Sequence, residues 1–194
     1  PVIRALAGIP LAAVKTVTPS TLEIAAYYLL FIAGLHLLRR GRGAAQAGRP
    51  PRGVPLPHRR AAWAAAALAL AVLAGDIAYW LHARFRHNDL KATVIDVGQG
   101  SATLLEFPRG PVMLVDGGGF ADHEAFDVGA RVVAPFLWSR KIRTVDILVL
   151  SHPDSDHLNG LLYIAEHFPV RQLWSTGDPS ALATHRRLLD IALR

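Results

Sequence analysis

The chain has 194 residues, no cysteine, a single methionine and a formal net charge of +6. Without cysteine there are no disulfides and no thiolate metal sites, so any metal must be held by His, Asp or Glu. The charge is unevenly placed: residues 1–87 carry eleven Lys/Arg against two acids, Glu23 and Asp76, whereas residues 88–194 carry ten Lys/Arg against thirteen acids. The basic excess therefore belongs to the apolar first part, and charge alone marks no nucleic-acid surface on the second. The chain begins at Pro1 and its methionine is Met113, so it is expected to be a piece of a longer protein.

In chain order, residues 1–17 are apolar but interrupted by Pro10, and read as an interfacial helix or the tail of a preceding membrane helix. Residues 20–38 contain an uncharged run from Ile24 to Leu35 and approach the ~20 residues a bilayer needs. Pro19 and Ser20 suit its start. Residues 39–60 hold seven Arg, Gly and Pro clusters and no acid. They read as a flexible basic linker, cytoplasmic by the positive-inside rule, with a lipid- or nucleic-acid-binding arm as the alternative. Residues 61–81 form a second span rich in Ala and Leu, with Trp63 and Trp80 near its ends. Asp76 is its one acid; such a residue raises a functional hypothesis, but here it lies within headgroup reach of the helix end. Residues 1–87 are thus expected to be a membrane region and residues 88–194 a separate domain on the far side.

From Asn88 the pattern changes. Strands are predicted at 91–97, 102–107 and 112–115, the last ending in Asp116-Gly117-Gly118-Gly119. Residues 127–138 read as a helix that Pro135 ends or kinks. A buried strand follows at 145–150, then a ligand-rich loop, a helix with apolar rhythm over 161–168, a strand at 171–174, a turn at 177–180 and a last helix at 181–193.

The loop is Ser151-His152-Pro153-Asp154-Ser155-Asp156-His157-Leu158-Asn159-Gly160, with two imidazoles and two carboxylates within six residues. A strand-to-helix loop is where an α/β fold places its chemistry. Histidine and carboxylate together suit Zn²⁺, Mn²⁺ or Fe, and a tight turn can aim such a set at two neighbouring metal positions. An isolated His or Asp in a loop is usually a cap or a solvated group; four such residues after a buried strand favour metal binding. His123, His167 and Asp178 read as surface or turn residues, and His185 as part of the last helix.

The spacing His152-x-Asp154-x-Asp156-His157-x-x-Gly160 resembles the His-x-His-x-Asp-His signature of the metallo-β-lactamase superfamily. With Asp96-Val97-Gly98-Gln99-Gly100-Ser101-Ala102, Val115 to Gly119, the Phe126 to Trp138 stretch and the membrane segments, it resembles the ComEC-type competence family from about residue 18 onward. The resemblance implies an α/β fold: transmembrane helices followed by the first half of an αββα sandwich. It implies two divalent ions (Zn or Mn), with His152 and Asp154 on the first and Asp156 and His157 on the second. Asp156 would also orient the attacking water, and Asp116 would support the ligands from behind. It further implies a multi-pass protein of the bacterial inner membrane with residues 88–194 on the periplasmic or extracellular side, and hydrolysis of one incoming DNA strand. The implied partners are single-stranded DNA, membrane lipid and other competence proteins, with no small-molecule cofactor.

Two positions depart from the family pattern: Asp154 replaces its second His, and Ser101 stands where relatives often carry an acid. The family's later ligands (a His, a bridging Asp and a final His) come from the domain's second half, so residues 88–194 alone are expected to be inactive and to expose one sheet face. The competing readings are a degenerate, non-catalytic module docking on the channel or on DNA, and a membrane-anchored metallohydrolase of another ester or lactam. The topology has its own test: a reporter fused after Asn88 is expected to be active only outside the cytoplasm, and activity confined to the cytoplasm would overturn the orientation.

Overall fold

The computed structural model describes residues 17–45, 56–121, 126–177 and 182–192. Residues 1–16 of the expected helix at 1–17, residues 178–180 of the turn at 177–180, and His123 and Asp178 lie outside them. The chain divides into two compact units, Pro19–Arg86 and a C-terminal unit from His87 onward that also takes in the described residues 17–18.

The first unit is a pair of packed helices, α1 (Thr21–Ala45) and α2 (Leu56–Phe85). Each contains a stretch long and apolar enough to cross a membrane, Thr21–Leu38 and Arg59–Phe85. Small residues, Ala26 and Ala33 on α1 and Ala62 and Ala69 on α2, are the buried ones. The pairs are each two helical turns apart, which lets the backbones approach closely. Tyr28, Phe31, Trp63, Leu68 and Tyr79 are exposed, an apolar outer surface that suits lipid. Helix α1 starts in a capping box: Ser20 N–H donates to Glu23 Oε2 (2.6 Å) and Glu23 N–H to Ser20 Oγ (3.2 Å). The Ser20 hydroxyl donates in turn to Asp76 Oδ1 (3.3 Å), so the start of α1 lies against the late part of α2.

Both helices run further into the basic segment than the sequence reading expected, through Ala45 on one side and from Leu56 on the other. Ala and Arg are good helix formers, and extending an existing helix is far easier than starting one. Pro57 falls in the first turn of α2, where its missing N–H costs nothing.

The C-terminal unit contains a five-stranded sheet in sequential order: β1 (Lys91–Val94), β2 (Thr103–Glu106), β3 (Val112–Val115), β4 (Val145–Leu150) and β5 (Val170–Ser175). The first three strands are antiparallel neighbours, while β3–β4 and β4–β5 are parallel. Leu104, Leu114 and Leu148 stand in register across β2, β3 and β4, and all are fully buried. They pack with Val133, Leu137, Leu158, Leu161 and Ile164 from the helices. On the opposite face, Leu105, Met113 and Ile147 are aligned and only half-buried.

Strand β1 is shorter than the reading of 91–97, although Ile95 N–H still reaches Ala102 O (2.8 Å). Residues 127–138 form one π-helical turn (Gly129–Val133) and then α3 (Ala134–Ser139). The Ala134 N–H bonds to Gly129 O across that wide turn, so Pro135 begins a helix rather than ending one. Helix α4 spans Ser155–His167, starting six residues before the apolar rhythm at Leu161. The last helix, α5, is Ala183–Ala192.

What fixes α4 is close backbone contact. Gly160 N–H donates to Gly118 O (2.9 Å) and Gly117 N–H to His157 O (2.8 Å). A Cβ on Gly160 would overlap the Gly117 carbonyl, and one on Gly117 would lie 2.5 Å from Leu161 N. Only glycine permits this approach. Gly160→Ala is expected to destabilise the C-terminal unit by about 1–3 kcal/mol, read as denaturant unfolding by tryptophan fluorescence. Gly34→Ala, whose Cβ would meet nothing within 4 Å, is expected to cause no loss.

Candidate metal centre

Strand β3 ends at Val115, and the Asp116 N–H extends the parallel pairing to Val149 O (2.9 Å). There the chain turns: Asp116 has φ 59°, a left-handed conformation that Asp tolerates better than most residues. The turn puts its carboxylate inside, with only 5% of the side chain exposed. Strand β4 ends one residue before Ser151, whose N–H donates to Asp116 Oδ1 (2.8 Å) and whose hydroxyl donates to Oδ2 (2.7 Å).

His157 is the third residue of α4, so the helix and not a loop positions it. Its Nδ1 lies 2.8 Å from Asp116 Oδ2. Asp156 precedes it in the first turn, where a helix N-terminus favours a negative side chain. His152 sits in the loop, its Nδ1 3.0 Å from Ser151 Oγ and its ring centroid 3.8 Å from that of His157.

Donor atoms of His152, Asp156 and His157 all lie within 4.8 Å of one another. Asp154 stands outside this group. It occupies the N-cap position of α4 without a side-chain capping bond, and 72% of its side chain is exposed. Its Oδ2 is nevertheless 3.6 Å from His152 Nε2, while Asp156 Oδ2 is 3.8 Å from His157 Nε2. These separations exceed a hydrogen bond. They are close to the ~3.3 Å between two ligands that each sit about 2.0–2.1 Å from one tetrahedral ion.

The donor set fits a divalent ion for a second reason. Each imidazole has its Nδ1 engaged from behind, by Asp116 or by Ser151, which leaves Nε2 for a ligand. Imidazole and carboxylate suit Zn²⁺ or a harder ion such as Mn²⁺.

The N-terminal wall of this site is the turn after β1. Gly118 N–H donates to Ser101 O (2.8 Å), and a Cβ on Gly100 would overlap the Asp156 carbonyl. Ser101 Oγ lies 3.2 Å from both Asp116 Oδ2 and His157 Nδ1. The residue that departs from the family pattern is therefore a member of the hydrogen-bond network. The sequence reading marks position 101 only as a departure and gives Ser151 no role; the one available signal for Ser151 was a hydroxyl residue immediately before the first His. His185 is buried on α5, and His167 bonds Tyr163 O through Nδ1 (2.9 Å), so neither is among the gathered donors.

The fold and these donors agree with two comparisons. Residues 95–190 match the model of the metallo-beta-lactamase superfamily. Over 91 residues the chain is 33% identical to ComE operon protein 3 of Bacillus subtilis (strain 168). Residues 95–190 form a metallo-β-lactamase domain, and the chain is ComEC-like. The aligned stretch covers 41% of this chain and 12% of that relative. A metallo-β-lactamase fold implies divalent metal binding, and the two apolar helices together with the ComEC likeness point to a membrane protein.

Titration with Zn²⁺ or Mn²⁺ tests the donor set. His152→Ala, Asp156→Ala and His157→Ala are each expected to lower affinity by at least roughly 100-fold, and Asp154→Ala, whose side chain is the most exposed of the four, by less. Unchanged affinity in His157→Ala would exclude this centre.

Proposed function

We propose that the chain is part of an inner-membrane DNA-uptake protein whose metallo-β-lactamase domain hydrolyses phosphodiester bonds of one incoming strand. The observation that carries this reading is the convergence of His152, Asp156 and His157 in a ComEC-like chain. His152, Asp154, Asp156 and His157 would hold the metal. The two Nε2–Oδ2 spacings of 3.6 and 3.8 Å, one within each His–Asp pair, support two ions rather than one. Bound divalent ions supply Lewis-acid stabilisation of charge developing on phosphoryl oxygens. Asp156, whose side chain is 35% exposed, orients the attacking water. Asp116 keeps the His157 ring in place throughout.

Residues 88–194 carry three more acids than bases, so net charge marks no obvious phosphate track on them. The phosphate contacts then come from bound metal alone, from the channel or from other parts of the protein. In this reading residues 1–87 form the membrane region, with spans at about 20–38 and 61–81, and the domain lies on the periplasmic or extracellular side. Its partners are single-stranded DNA, lipid and other competence proteins.

The test uses the protein as cells make it, purified in detergent and supplied with Zn²⁺ or Mn²⁺ and end-labelled DNA. Strand cleavage is expected, falling by at least roughly 100-fold in His152→Ala and Asp156→Ala. Equal cleavage by variants and wild type would overturn the assignment. Retained DNA binding with no cleavage by any form would favour the non-catalytic docking module.

A further inference from the structure

We propose that Ser151 is a positioning residue: its hydroxyl relays the Asp116 carboxylate to His152 and so selects the ring tautomer that leaves His152 Nε2 free for a metal. The metal-binding part of this inference rests on the function proposed above; the tautomer part does not.

The inference follows from counting protons. A serine hydroxyl has one proton to give and lone pairs to receive. Ser151 Oγ is 2.7 Å from Asp116 Oδ2 and 3.0 Å from His152 Nδ1. The carboxylate can only accept, so the short contact to it requires the hydroxyl proton. With that proton spent, the contact to His152 is favourable only if Nδ1 carries a proton and donates it to Oγ. An unprotonated Nδ1 would face an oxygen lone pair at 3.0 Å. The same argument applies to His157, whose Nδ1 faces Asp116 Oδ2 at 2.8 Å and must donate to it.

One buried carboxylate therefore sets both rings, His157 directly and His152 through one hydroxyl. Both are held as Nδ1–H forms with Nε2 turned to the ligand side. Neutral histidine in water prefers the opposite form, with the proton on Nε2, so the relay works against an intrinsic preference. The Ser151 N–H bond to Asp116 Oδ1 (2.8 Å) holds the carboxylate in place independently of the hydroxyl. Removing the hydroxyl therefore leaves the backbone clamp intact. Ser101 offers a contrast: its hydroxyl bonds the same Asp116 oxygen, and the ring it faces is that of His157.

The experiment reads the imidazole nitrogens directly. The full chain, ¹⁵N-labelled at histidine and free of metal in detergent micelles, is examined by long-range ¹H–¹⁵N correlation well above the ordinary imidazole pKa of about 6.5. Wild type is expected to show His152 mainly as the Nδ1–H form. Ser151→Ala is expected to move it to the Nε2–H form, Ser151→Thr to restore it, and Ser101→Ala to leave it unchanged. In parallel, Zn²⁺ affinity is expected to fall about 10–100-fold in Ser151→Ala and recover in Ser151→Thr. A His152 that is Nε2–H in wild type, or Nδ1–H in Ser151→Ala, overturns the relay. Wild type that binds no Zn²⁺ overturns the proposed metal function, while the nitrogen shifts still judge the relay.

Discussion

Four segments of the metallo-β-lactamase domain meet at the carboxylate of Asp116: the extension of β3, the turn after β1, the end of β4 and the first turn of α4. A buried carboxylate is costly unless donors replace its water. Here Oδ1 takes the Ser151 N–H, and Oδ2 takes the two serine hydroxyls and the His157 ring. Hydrogen bonds to an ionised group are the strong ones, and this set leaves little unmet demand. The same bonds that allow the charge to be buried also orient the candidate ligands, so satisfaction of the core and preparation of the site are one arrangement.

That arrangement requires α4 to lie almost on the backbone of the Asp116–Gly119 turn. Glycines at 117 and 160 permit it, and hydrogen bonds between the two backbones hold the distance. The result is a site whose depth is set by main-chain atoms, which move less than side chains. Buried leucines on β2, β3 and β4 fix the sheet beneath, while α4 contributes Leu158, Leu161 and Ile164 to the same core. The helix is anchored on its apolar face, and its polar first turn brings His157 onto the Asp116 carboxylate.

Much of this was legible in the residues. The run 145–150 and the run 112–115 are short, apolar and β-branched-rich, and both are strands at those bounds. The ligand-type cluster is compact in sequence, so its proximity in space needed no topology. The start of α4 was not legible, because Ser155 to Gly160 contains one apolar residue, Leu158, and periodicity has nothing to act on. The backbone contact with the glycine turn decides that boundary. The hydrogen-bonding roles of Ser151 and Ser101 were opaque for another reason. A hydroxyl reveals nothing locally, and their partner Asp116 lies 35 residues from one and 15 from the other. The extension of α1 and α2 into the arginine-rich segment shows the converse error: charge and glycine marked a linker, while propagation from long helices prevailed.

The capping box of α1 carries an implication for the membrane-type unit. Ser20 Oγ accepts from the Glu23 N–H and donates to Asp76 Oδ1, so a single hydroxyl both begins one helix and ties it to the other. Helix ends normally fray independently of tertiary contacts. At Ser20 the two are coupled, because unwinding the first turn of α1 also breaks the hydroxyl's bond to an acid within the apolar stretch of α2. Starting the helix and pairing it thus become a single cooperative event.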